Sequence, residues 1–513
     1  QAFLRVHGVP EIHADALLAA TYGHPLALAL FTDLLAHGAA GELELAQEPH
    51  IVRALLERFV AHAPSADHRA ALEMCAHVRV TTEYLLGAVF GAERAHELFR
   101  WLGGLSFVEA GPHGLVPHDL ARDVLDAELR WRNPPAYRAM HHAARAAVLH
   151  ELQAASGAAQ QAAFADLLYL HRHNPVMRPY YEWRSLGSTY ADTPRPDEHE
   201  LICDLVEQYE GREAAGIARH WLEHQPGAFH LFRTSANQTF GYVCALRLTS
   251  AGFDQYSFDP ALLSIRRFVE QHAPLRAGEE ILLQRFWSGV DQYQEPGPVH
   301  NMVAMTLGTA WLTNSRLAWA FTVAGDPAPW APMFAYLNFE RVPDADWEIG
   351  KRRYAVWAHD WRTQPAVAWL DVMAERELQA DTAIAPSPTP QLEVLGEAAF
   401  ADAVRRALRD YTHSDALFQS PLLRTALITR HGPPTPDTLR SLIRTAVEQV
   451  SSNARDAKYG RALVRTYLEP AASQEQAAEL LGLPFSTYRF HLARGIARVV
   501  AWLWQREVGH PRQ

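Results

Sequence analysis

The sequence predicts a multidomain, mainly α protein with a central α/β domain and a helix-turn-helix near its C-terminal end. Three observations carry this. Apolar residues recur at helical spacing from Pro10 to about Tyr181, and again from Phe400 to Glu507. Between about Ser185 and Glu375 the texture changes to β-branched and aromatic runs that alternate with helical stretches. A stiff Pro-rich segment, Ile384 to Pro390, divides that middle region from the last one.

At 513 residues, 48% hydrophobic and 20% charged, the chain is long enough to bury several cores. Its three cysteines include no C-x-x-C pair, so neither a disulfide framework nor a zinc ribbon is expected, and a reducing, cytoplasmic setting is. No apolar run approaches the roughly 20 residues of a membrane span, and no basic stretch with an apolar signal core opens the chain. A formal charge of −11 excludes a surface that tracks phosphate throughout, so any nucleic-acid contact must be local. No repeat of fixed period occurs.

Residues 1–64 read as a helical subdomain, broken at Gly23 and at His62-Ala63-Pro64. Residues 65–184 read as a winged-helix-like module with further helices; Leu105 to Val108 and Leu115 to Pro117 flank the loop Glu109 to Gly114 as the two arms of a hairpin wing. The stretch Gly23-His24-Pro25-Leu26-Ala27-Leu28 resembles the G-x-P-L-A-L signature of STAND-type signalling ATPases. Pro117-His118-Asp119-Leu120 stands where that family carries its Met-His-Asp sequence. The resemblance implies nucleotide sensing, with Pro25 capping an adenine and His118 reaching the β-phosphate of ADP. The blander alternative is an ordinary turn before a helix and a surface histidine at a helix start. No G-x-x-x-x-G-K-[ST] loop occurs, so this chain alone has no cradle for a triphosphate and no ATPase activity is expected of it. The sequence opens at Gln1 without a methionine, and the expectation is an upstream nucleotide-binding domain that would bring ADP or ATP.

For residues 185–380 the candidate strands are Ala228 to Phe232, Phe240 to Leu246, Ile281 to Trp287, Leu317 to Val323 and Tyr354 to Trp357. The strand at Ile281, the turn Gln294 to Val299, the helix from Asn301, the strand at Leu317 and a helix ending in Phe334 to Phe339 together resemble a GNAT acetyltransferase. The resemblance implies that acetyl-CoA is held by backbone N–H groups of a Q/R-x-x-G-x-G/A loop at a helix N-terminus, with Gln294, Gly297 and Asn301 as cofactor-binding residues. Three departures weaken it: Pro298 removes a donor, Val299 adds a branched side chain, and Glu295 adds repulsion. The family's tyrosine acid falls on Phe334, which has no proton to give. Tyr336 remains the catalytic candidate, two residues on and about 200° around the helix. A degenerate GNAT-like domain kept as a ligand sensor is the first expectation, and an active acetyltransferase the alternative. No metal site is expected: His171-Arg172-His173 and Glu198-His199-Glu200 have the wrong spacing, and H-E-x-x-H is absent. G-x-S-x-G is absent too.

Residues 381–396 read as the Pro-rich linker and 397–513 as a helical domain. Ser473 and Gln476 have capping-box spacing before Ala477, Leu480 and Leu481, Gly482 stops the helix, and a second helix starts near Ser486. This helix-turn-helix resembles the end of a sigma-factor region 4 or LuxR-type domain, which implies that Thr487, Arg489, Phe490, His491 and Arg494, with Arg498 further along, face DNA. The competing reading packs the same helices against their neighbours. The sequence thus points to a signal-responsive regulator, with duplex DNA or a protein partner at the C-terminal domain; a scaffold within a STAND system is the third reading.

Overall fold

The computed structural model describes residues 63–183, 186, 188–250, 258–350, 352–379 and 392–509, together with Pro25, Leu28 and Val60. Among these residues the chain is mainly helical around one mixed sheet of eight strands. No helix among them is long and apolar enough to cross a membrane.

The first helices are α1 (Ala66–His77), α2 (Glu83–Phe90) and α3 (Ala92–Gly103). Ser65 and Thr82 begin α1 and α2 by accepting from the N–H groups of His68 and Leu85, donors that a helix start leaves unpaired. A hairpin follows, β1 (Val108–Gly111) and β2 (Gly114–Pro117), with only Pro112 and His113 in its turn. The pairing therefore runs further into the loop than the apolar pattern suggests, because Glu109 and Ala110 pair their backbones while their side chains stay exposed. Gly114 has φ +144°, and a Cβ there would lie 2.5 Å from the Thr81 carbonyl, so the close pass of the hairpin over the segment between α1 and α2 needs glycine.

Next come α4 (Asp119–Arg132), α5 (Pro134–Ala154) and α6 (Gly157–Tyr169). The sheet is built from β3 (Thr189–Asp192), β4 (Phe229–Thr234), β5 (Thr239–Leu248), β6 (Glu280–Gly289), β7 (Leu317–Ala324), β8 (Glu340–Arg341), β9 (Trp347–Ile349) and β10 (Arg352–Asp360). Its order is β3-β4-β5-β6-β7-β10-β8, with β9 on β10. Only β6 and β7 run parallel, and they pair from Glu280 to Leu283 alone; β6 continues six residues further, so the two strands part. All five strands read from the sequence are present, while the short edge strands β3, β8 and β9 are additions.

One face of the sheet is covered by α7 (His199–Glu210), α8 (Arg212–His224) and α9 (Pro260–His272). The other is covered by α5, α6, α10 (Pro298–Thr313), the short α11 (Ala331–Tyr336) and α12 (Ala366–Gln379). The core thus runs on across residue 184: helices read as part of the winged-helix module form a layer on the sheet. Phe164 of α6 lies where a Cβ on Gly308 of α10 would sit, so the two helices touch backbone to ring.

A bulge in β6 places both Arg285 and Phe286 on the α9 side of the sheet. Arg285 is fully buried and pairs with the equally buried Asp259, which also accepts from Trp221 Nε1 and caps α9.

The last domain has its own core, from α13 (Glu397–Arg409), α14 (Pro436–Ser452), α15 (Ala457–Leu463), α16 (Gln474–Leu480) and α17 (Phe485–Val508). Arg276, in the turn after α9, reaches into it: it pairs with buried Glu507 at 2.8 Å, donates to the Leu395 carbonyl and lies over Trp504. The Pro-rich stretch Ile384 to Pro390 lies outside the described residues.

Candidate functional site

Of the nucleotide-sensing pair, Pro25 is helical and exposed, and the rest of its motif except Leu28 lies outside the described residues. His118 is exposed at the start of α4, where its N–H donates to the Phe107 carbonyl and its own carbonyl accepts from Arg122.

The parting of β6 and β7 makes a cleft, and α10 begins at its mouth. Gln294, at φ +45°, turns its side chain to accept from the Gly325 N–H at 3.0 Å, tying the loop before α10 to the end of β7. Gly297 is the N-cap of α10 at φ +137°, and Pro298 is its first residue. Val299 does not face the loop: it is buried over Gly241 and Gly289 of the sheet, correcting the expectation that its side chain obstructs the anion site.

The obstruction comes from elsewhere in the chain. The segment Tyr180-Tyr181-Glu182 crosses the start of α10. The Tyr180 carbonyl accepts from Gly297 N–H at 3.3 Å and lies 3.1 Å from His300 Nδ1. Asn301 grips Glu182 at both backbone groups, accepting from its N–H at 3.1 Å and donating to its carbonyl at 2.7 Å. Gly297 and Asn301 therefore lie together at the start of α10, with a protein strap on them. The aromatic run Tyr180-Tyr181-Glu182-Trp183 was the only sequence signal for it.

Behind the strap, the cleft narrows to an apolar cavity of about 60 Å³ lined by Trp287, Trp330, Trp369, Phe334 and Tyr336, with His171 and His300 among its few polar walls. Phe334 and Tyr336 both reach it despite their angular separation, because α11 is only six residues long and buried. The Tyr336 hydroxyl donates to the Met373 carbonyl at 3.4 Å and stands 3.3 Å from His171 Nδ1. Burial holds its pKa well above the ordinary tyrosine value. A phenol so held is a poor acid at neutral pH. Burial lowers both His171 and His300 to about 4, so both are neutral.

A second buried cluster lies where α1, α4 and α5 meet the segment after α6. Asp126 stands 2.8 Å from His77 Nδ1, 2.9 Å from His173 Nε2 and 3.5 Å from Arg172, and these groups hold its carboxyl far below the usual range against the opposing effect of burial. It fixes the N-terminal helices to the segment that leads into the strap.

Where the sequence reads a helix-turn-helix, α16 is followed after a short turn by α17. Ser473 accepts from Gln476 N–H, and the Gln476 side chain accepts from Ala472 N–H, one residue earlier than in a standard capping box. Gly482, at φ +63°, donates to the Glu479 carbonyl, and Leu483 N–H to that of Ala478, closing α16 with a Schellman motif. On α17, Arg489, Phe490 and Arg494 are exposed, and the Arg494 guanidinium lies over the Phe490 ring. Thr487 is half-buried, and Arg498 pairs with Asp456 at 3.5 Å. His491 does not join the outer face: it is buried against Tyr459, and burial lowers its pKa.

No protein-family model matches the chain, and no curated protein matches it in sequence.

Proposed function

We propose that this chain is a signal-responsive regulator that binds duplex DNA through α17 and keeps a GNAT-like domain as a sensor. The observation that carries the reading is the exposed face Arg489, Phe490 and Arg494, on a helix whose residues 485–506 include four arginines and no acid. Positive charge gathered along one helix is what local phosphate binding by an acidic protein requires.

The order β6, α10, β7, α11 supports the GNAT-like reading, as does the parting of the parallel pair into a cleft. Acetyl transfer is the weaker alternative. The N-cap glycine and Asn301 are engaged by the Tyr180 to Glu182 strap, and Tyr336 keeps its proton. The STAND-like reading of the first residues rests on sequence motifs alone and supplies the expectation of an upstream switch.

A second reading has its own support: Leu480, Phe485 and Phe490 are 62%, 40% and 53% exposed, which suits a protein partner. Fluorescence anisotropy with random duplex DNA at two salt concentrations separates the two. Salt-dependent binding is expected, with Arg489→Ala and Arg494→Ala each lowering the salt slope by about one unit. Absence of binding at low salt in the wild type would remove the DNA reading and leave the protein partner.

A further inference from the structure

We propose that the last turn of α8 carries a divalent metal site made by His220, Glu223 and His224, of the kind that takes zinc. One ligand atom from each of the three side chains lies within 4.8 Å of the others. The spacing alone makes this possible, since residues three and four apart share one face of a helix. Two histidines and a carboxylate are a zinc-type donor set, and three protein ligands leave a fourth position for water.

Two further features separate this group from two histidines that merely share a surface. His224 Nδ1 lies 2.8 Å from the His220 carbonyl, so the ring donates its Nδ1 hydrogen to backbone and carries its lone pair on Nε2. A backbone carbonyl holding the far nitrogen is the usual support of a metal-bound histidine, fixing both tautomer and ring orientation. The two imidazoles stack at 3.9 Å with planes 14° apart, and the His220 ring lies 3.7 Å from Phe258, so one ring must turn out of the stack for both lone pairs to meet a single ion. Finally, the group sits at the C-terminal end of a thirteen-residue helix, where the macrodipole favours a cation.

The order H-x-x-E-H is also that of one class of zinc peptidases. Here Glu223 and His224 are exposed and His220 half-buried on the outer side of a helix. The site is therefore a binding site, with no peptidase activity assigned to it. The order differs from H-E-x-x-H in that the acid, Glu223, stands beside the second histidine.

The full chain, stripped with EDTA and dialysed, is titrated with zinc against a chromophoric chelator near neutral pH. One zinc per chain is expected, with His220→Ala and His224→Ala each weakening binding by roughly tenfold or more. Arg219→Ala, on the same helix but paired with Glu200, leaves binding unchanged. Because these side chains lie at the surface, far-UV circular dichroism of the variants should match the wild type, so loss of zinc is not loss of fold. His220→Cys retains zinc, since a thiolate is also a zinc ligand. Wild-type affinity in the His220→Ala/His224→Ala double variant, or no zinc bound by the wild type, overturns the proposal.

Discussion

Acid should loosen the protein through His171 and His300. Both are buried against the apolar cavity, and burial lowers each from 6.5 to about 4. In the unfolded chain both titrate normally, so between those values the unfolded state binds more protons. Their contribution is therefore fully present above about pH 6.5 and falls as pH drops toward 4, by about 3 kcal/mol for each group at the lower end. That is large against a domain stability of roughly 5–15 kcal/mol. His77, His141 and His359 are also lowered by burial and act in the same direction. Glu377 and Asp166, which burial pushes up to about 7 and about 6, act oppositely. The wild-type curve alone is thus a sum of opposing contributions, and the difference from a variant isolates the two histidines. Asparagine keeps a donor near the Nδ1 position and does not titrate. Urea unfolding of the wild type and of His171→Asn/His300→Asn, followed from neutral pH to about 4.5, should show the variant losing less stability on the way down. Parallel loss in both would refute the assignment of the two histidines as neutral buried groups.

Two other outcomes follow from buried polar contacts. Asp259→Ala leaves the Arg285 guanidinium buried without its ion-pair partner and strips the Trp221 and α9 cap bonds, so chemical denaturation should report a loss of about 3–5 kcal/mol; a loss below about 1 kcal/mol would mean that buried Glu210 at the end of α7, whose charge also acts on Arg285, neutralises it unaided. Asn301→Ala releases both backbone groups of Glu182, so amide exchange there should quicken by an amount corresponding to about 1–3 kcal/mol, while an unchanged rate would show that Tyr180 holds the strap alone.

What the sequence made legible were segments whose meaning is local. The strands at Phe229, Thr239, Glu280, Leu317 and Arg352 are runs of β-branched and aromatic residues buried on both faces, and that composition needs no knowledge of the partner strand. Ser473, Gln476 and Gly482 fix their helix ends through bonds to near neighbours. Thr189 to Asp192, by contrast, is a four-residue edge strand with alternating exposure, and only its pairing with β4 makes it a strand. His491 shows the same limit: a histidine between Phe490 and Leu492 on a basic helix faces inward because Tyr459 packs there. The strap over α10 was least legible, because Tyr180 and Glu182 gain their role from Gly297 and Asn301, far along the chain.

The strap and the Arg276 contact bear on how a signal could cross this molecule. Asp126 binds the N-terminal helices to Arg172 and His173, and eight residues later the same segment lies across the start of α10. From α10 the parted strands lead back to β6, whose preceding turn carries Arg276 into the C-terminal domain and onto Glu507 near the end of α17. Each of these junctions is a buried charged or hydrogen-bonded contact, which costs far more to break than an exposed one. A displacement of the N-terminal helices that pulled on the strap would therefore act on α10 before it acted on the exposed side chains of α17. That ordering follows from the contacts: α17 is tied to the sheet by Arg276, and the strap is tied to the N-terminal helices by Asp126.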